Sequence, residues 1–126
     1  MELRPVGSLN LTPLQSVFGN IRTDKVIVTN KRIDHIKDHH PEDYALFEKF
    51  GTQAVEHPDF VIQDTSRNGT IFSVMKLPDT NLNVVVRLAL DTDDPRHLNS
   101  VITFYRIREK NLKKLIAKHK LLYRKE

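Results

Sequence analysis

The chain has 126 residues, enough for one domain with a single buried core and too few for several. A hydrophobic content of 39% and a charged content of 29% exclude a disordered chain, and the absence of cysteine excludes disulfides and thiolate metal sites. The net charge of +4 is unevenly spread: from Arg106 to Glu126, nine Lys or Arg stand against two acidic residues.

In chain order, Met1-Glu2-Leu3-Arg4-Pro5 has neither a basic n-region nor an apolar stretch, so no signal peptide is expected. Apolar runs such as Val84-Val85-Val86 fall far short of the ~20 residues a membrane span needs. A cytoplasmic protein without membrane partners is the expectation. Residues 1–24 contain Pro5, Gly7, Pro13 and Gly19, with a short helix over Thr12–Phe18. They read as an N-terminal extension packed on a domain spanning 25–126.

Lys25–Val28 suits a short strand feeding a helix that Thr29 or Asn30 can cap, because their side-chain oxygens accept from free first-turn amides. On that helix His35 and His39 lie four residues apart, and so project from one face about 5–6 Å from each other. Imidazole titrates near neutrality, so the pair suits proton transfer or metal binding. Ile36 belongs to the buried side. Pro41 opens a second helix, with Glu42 and Asp43 at its positive end. Leu46, Phe47, Phe50, Ala54 and Val55 form its apolar stripe. Gly51 weakens it and Pro58 stops it.

The period then becomes alternating. Phe60–Asp64, Thr70–Leu77, Leu82–Leu90 and Leu98–Ile107 read as four strands separated by turn-like segments, which favours an antiparallel meander. In the third strand Leu82, Val84, Val86, Leu88 and Leu90 share a core face, leaving Asn83, Val85, Arg87 and Ala89 on the other. Ile102 and Phe104 look like core in the fourth strand, which puts Val101, Thr103, Tyr105 and Ile107 opposite. If the strands pair, Arg87, Thr103 and Tyr105 gather on one mixed face suited to a phosphate, since guanidinium is a rigid fork of donors. Arg106 and Arg108 are further anion candidates. Last, Leu112, Leu115, Ile116, His119 and Leu122 recur at helical spacing, predicting a helix over Glu109–Tyr123. Its other face carries Lys110, Lys113, Lys114, Lys118 and Lys120. Such a surface attracts phosphate backbones through counterion release. The expected architecture is α+β: N-terminal helices, a four-stranded antiparallel sheet and a basic C-terminal helix.

Four segments appear in order: Val28-Thr29-Asn30-Lys31-Arg32-Ile33-Asp34-His35-Ile36-Lys37-Asp38-His39-His40-Pro41, His57–Asp64, Asn81–Leu88 and Ser100–Ile107. Together they resemble the phage-encoded barnase/EndoU/colicin/RelE-like nuclease domains, over roughly residues 25–120. That resemblance implies an α+β, mostly metal-independent ribonuclease of phage or mobile-element origin. Its recurring polar positions fall on His35, His39, Thr103 and Tyr105; Arg87 is placed by the strand-face argument. The expectation is an endoribonuclease without cofactor or metal. Its 2′-hydroxyl attack would leave a cyclic phosphate, with His35 as base or acid and His39 as partner or orienter. Arg87, Thr103 and Tyr105 would hold the phosphate, and the C-terminal lysines would add affinity for RNA such as tRNA. A phage structural protein or an inhibitor is a further possible partner. Two rivals stand beside it. In one, His35 and His39 ligate a metal, with His57 or Asp64 as a third ligand. In the other, the domain is an inactive nuclease-like module that binds nucleic acid or protein.

Overall fold

The computed structural model describes residues 2–126. The chain runs β1 (Leu3–Ser8), α1 (Thr12–Phe18), β2 (Lys25–Thr29), α2 (Asn30–His39), α3 (Pro41–Glu56), β3 (Phe60–Gln63), β4 (Thr70–Lys76), β5 (Asn81–Arg87), β6 (Asn99–Ile107), α4 (Glu109–Lys118) and β7 (Lys120–Arg124). Among the described residues seven strands form one sheet in the order β1-β2-β6-β5-β4-β3-β7. All neighbours are antiparallel except β2 and β6, which run parallel through Val26–Asn99 and Ile27–Ser100. The α+β class therefore holds, while the expected four-stranded antiparallel sheet behind leading helices is corrected to a seven-stranded mixed sheet. Among the described residues no helix is long and apolar enough to cross a membrane.

The four alternating segments do form consecutive antiparallel strands, β3 to β6. Three further strands extend them. β1 lies inside the segment read as an extension and pairs with β2, its register shifting between Pro5 and Gly7. Proline has no amide to donate, so it is tolerated on such an edge strand. At the other edge β7 pairs with β3 from Phe60–Arg124 to Gln63–Lys120. The helix predicted over Glu109–Tyr123 thus stops at Lys118. After that point the free hydrogen-bonding edge of β3 outweighs helical spacing, since unpaired backbone groups seek partners.

Both faces of the sheet are covered. On the first, α1, α2 and α3 pack Leu14, Ile33, Ile36, Phe47 and Val55 against Val84, Val86, Val101 and Phe104. Phe47 and Phe104 stack with ring centroids 4.0 Å apart. On the second, α4 packs Leu112 against Ile62, Phe72, Val74 and Val85, with Leu115 and Ile116 alongside. Gly51 has a packing role in α3: a Cβ there would come within 2.8 Å of the Phe47 ring.

Candidate active site on helix α2

α2 begins where sequence chemistry places it: the Thr29 hydroxyl accepts from the Arg32 amide at 3.2 Å. Ile33 and Ile36 turn into the core, which forces the residues beside them outward. His35 and His39 are both exposed, and their rings lie 4.4 Å apart between centroids, tilted by 33°. His39 Nδ1 lies 2.8 Å from the carbonyl oxygen of His35. A carbonyl can only accept, so Nδ1 carries the proton and donates it. Nε2 is then the ring nitrogen that this contact leaves unengaged, on an exposed residue. The tie also holds the ring over that of His35, which makes no side-chain hydrogen bond among the described residues.

Beside His35 opens a recess of about 350 Å³ lined by Thr29, Lys31, Arg32 and His35. Lys31 and Arg32 precede His35 by four and three residues, so helical geometry alone brings both to its side. The sequence reading missed these two as site residues. The signal was present: the spacing that pairs His35 with His39 also pairs Lys31 with His35.

The other expected site residues lie elsewhere. Thr103 and Tyr105 share the second face of the sheet, because Thr103 pairs with Val85 and Tyr105 with Asn83. Tyr105 is hydrogen-bonded there, its hydroxyl accepting from Asn83 Nδ2 at 3.0 Å. The histidine helix packs on the first face, and among the described residues no hydrogen bond links it to Thr103 or Tyr105. Val101 departs from the expected face and joins Phe104 in the first-face cluster. The register shift between Val85 and Val86 explains this: the extra residue of a bulge reverses the alternation.

Arg87 is engaged locally. Its Nη2 and Nη1 donate to Asp93 at 2.8 and 3.1 Å, and Nη1 also donates to the carbonyl of Leu88. Asp93 in turn accepts from the Leu90 amide at 2.7 Å. The Arg87 bond, then the Leu90 amide, holds the Asp93 carboxyl below its ordinary range. Arg106 reaches back to α3, with Nε 2.7 Å from Asp43 and Nη1 2.6 Å from Glu42. Its pairing with Asp43, the leading cause, raises its pKa above the ordinary arginine value. Arg108 flanks the start of α4, and it and Lys110, Lys113, Lys114 and Lys118 are exposed as expected.

A single histidine, His119, sits in a separate cluster beside α4. The ring of His119 is almost buried, edge-on to Phe72 at 5.4 Å between centroids. Its Nδ1 accepts from the Thr65 amide at 3.0 Å. Nearby Asp64 feels burial pushing its carboxyl up. Arg67, at 2.7 Å, and the Ser66 amide outweigh that and leave it lowered. Among the described residues no three His, Asp or Glu side chains gather as a metal-binding cluster, so His57 and Asp64 do not join the α2 pair. Compared with known protein families, curated proteins and solved structures, the chain matches none.

Proposed function

We propose that the protein is a metal-independent endoribonuclease whose reacting groups are His39 and His35 of α2. The observation that carries this is the 2.8 Å contact of His39 Nδ1 with the His35 carbonyl, which engages that nitrogen and leaves Nε2 out of it. Nε2 is the candidate base, beside a second imidazole and a cationic recess. Lys31 and Arg32 would bind the scissile phosphate in that recess. Nε2 of His39 takes the proton of the 2′-hydroxyl as its oxygen attacks phosphorus. The bond to the 5′-oxygen then breaks, and protonated His35 gives that oxygen a proton. The products are a 2′,3′-cyclic phosphate and a free 5′-hydroxyl. Positioned proton transfer of this kind contributes ~10²–10⁴ in rate.

One observation favours an alternative, a nucleic-acid-binding module without chemistry: Arg87 is spent on Asp93, and Thr103 and Tyr105 face the other layer. A single experiment separates the readings. Purified protein is incubated with total RNA and tRNA in excess EDTA, and product ends are analysed. The nuclease reading expects undiminished cleavage and cyclic phosphate ends, with His39→Ala and His35→Ala each losing most of the rate at unchanged thermal stability. Binding without cleavage would establish the module. Loss of cleavage in EDTA with recovery on zinc or manganese would overturn the mechanism in favour of a metal. Full activity in both histidine variants would overturn the site.

A further inference from the structure

A cavity of about 170 Å³ opens between α1, the end of α3 and strands β3, β4 and β7. Its floor is Leu14, Val55, Val61 and Ile71, none more than 7% exposed. Ser73 also reaches it, but its hydroxyl is already committed to the carbonyl of Ala54 at 2.6 Å. The interior is therefore apolar in character. An apolar cavity of ~150 Å³ holds one benzene ring, so this one has room for a single ring or a short branched chain.

Part of the lining has the opposite chemistry. Lys125, Tyr123 and His57 line the cavity as well, residues whose side chains carry an ammonium, a phenol and an imidazole. None of these three has a side-chain hydrogen bond or ion pair among the described residues. The one carboxylate present, Glu56, already accepts from the Ser8 amide at 3.0 Å. It is also held tightly, because a Cβ at Gly7 would stand 3.0 Å from Glu56 Cγ. Three donor-bearing side chains without partners among the described residues thus stand against one carboxylate that a backbone amide already holds.

We propose that this cavity binds a small monocarboxylate with a compact apolar body. The body would rest on Leu14, Val55 and Ile71. The carboxylate would accept charge-assisted hydrogen bonds from Lys125 and the Tyr123 hydroxyl. Burial of the ring drives entry, and the charged bond selects the anion over neutral or cationic analogues of the same shape. The site is independent of the α2 histidines.

The test is an amide-resolved NMR titration of the full chain with benzoate, toluene and benzylamine. Benzoate is expected to give saturable shifts confined to Leu14, Ile71, Tyr123 and Lys125, and to bind more tightly than the other two. Lys125→Met should weaken benzoate about tenfold, as losing a charge-assisted bond does, and leave toluene unchanged. Lys125 is exposed, so that variant should fold. Leu14→Phe, which fills the floor, should abolish binding; if it does not fold, Lys125→Met decides. Absence of saturation with benzoate would overturn the proposal. So would benzylamine binding as tightly, or Lys125→Met leaving benzoate unaffected, which would reduce the site to an apolar void.

Discussion

Arg87 stands at the end of β5, with its guanidinium forked around Asp93 and against Gly69. A Cβ at Gly69, whose φ is +69°, would meet Arg87 Nη1 at 2.5 Å, so this glycine is needed for both conformation and space. Strand alternation made the face of Arg87 legible, but not its partner, which lies in the following loop. The Asp93 carboxyl is held low by Arg87 and the Leu90 amide. A carboxyl whose pKa is depressed on folding contributes stability above its unfolded value of about 3.9, and that stability is lost as pH falls through the lower folded value. Asp93→Asn should therefore destabilise the protein by about 1–3 kcal/mol near neutrality. Urea denaturation at about pH 7 and about pH 3 checks it: the gap between variant and native protein should narrow in acid. A constant gap would mean that the carboxylate charge is not what holds the loop. The histidine pair was legible for a simpler reason: His35 and His39 depend only on the geometry of their own helix.

At the scale of elements, the sequence is clearest where periodicity and local capping agree. Thr29 before α2, Pro41 at the start of α3 and the alternation of β4 and β5 all name their structures. β7 was illegible because Leu112, Leu115, Ile116, His119 and Leu122 satisfy a helical stripe on their own. What ends α4 is tertiary: the exposed edge of β3, together with His119 accepting from the Thr65 amide and lying against Phe72. Deleting residues 119–126 should expose that edge and uncover the second-face cluster by removing Leu121. The expected result is a lower Tm with concentration-dependent association, read by calorimetry and size-exclusion chromatography. A monomer of native Tm would show that β7 adds nothing to the sheet.

At the scale of the molecule, the two cationic regions belong to different layers. Lys31 and Arg32 ride on α2 over the first face, whereas the lysines of α4 lie over the second. No pattern in the chain announces this, since it follows from where β6 sits in the sheet. In the nuclease reading, α4 then adds long-range attraction and the α2 recess holds the reacting phosphate. Replacing Lys110, Lys113, Lys114 and Lys118 with Gln should flatten the salt dependence of RNA binding, by up to about 0.7 in logarithmic slope per lost contact. The cleavage rate at saturating RNA should be unchanged. An unaltered slope would make α4 a solvated exterior and nothing more.

The parallel pairing of β2 with β6 has a consequence in time. β4 and β5 adjoin in the chain and meet through a short turn, whereas Val26 and Asn99 pair across most of the chain's length. Closing so long a loop costs entropy before any contact rewards it, so distant pairings form late. In pulse-labelled hydrogen exchange during refolding, amides of β4 and β5 should gain protection before those of Val26 and Ile27. Simultaneous protection would argue against this order. The histidine helix hangs from β2, and so it would be seated by one of the last events on the folding pathway. A chain stalled at the hairpin stage would carry every residue of the proposed site on a ten-residue helix with no core yet beneath it, too short to hold its shape alone.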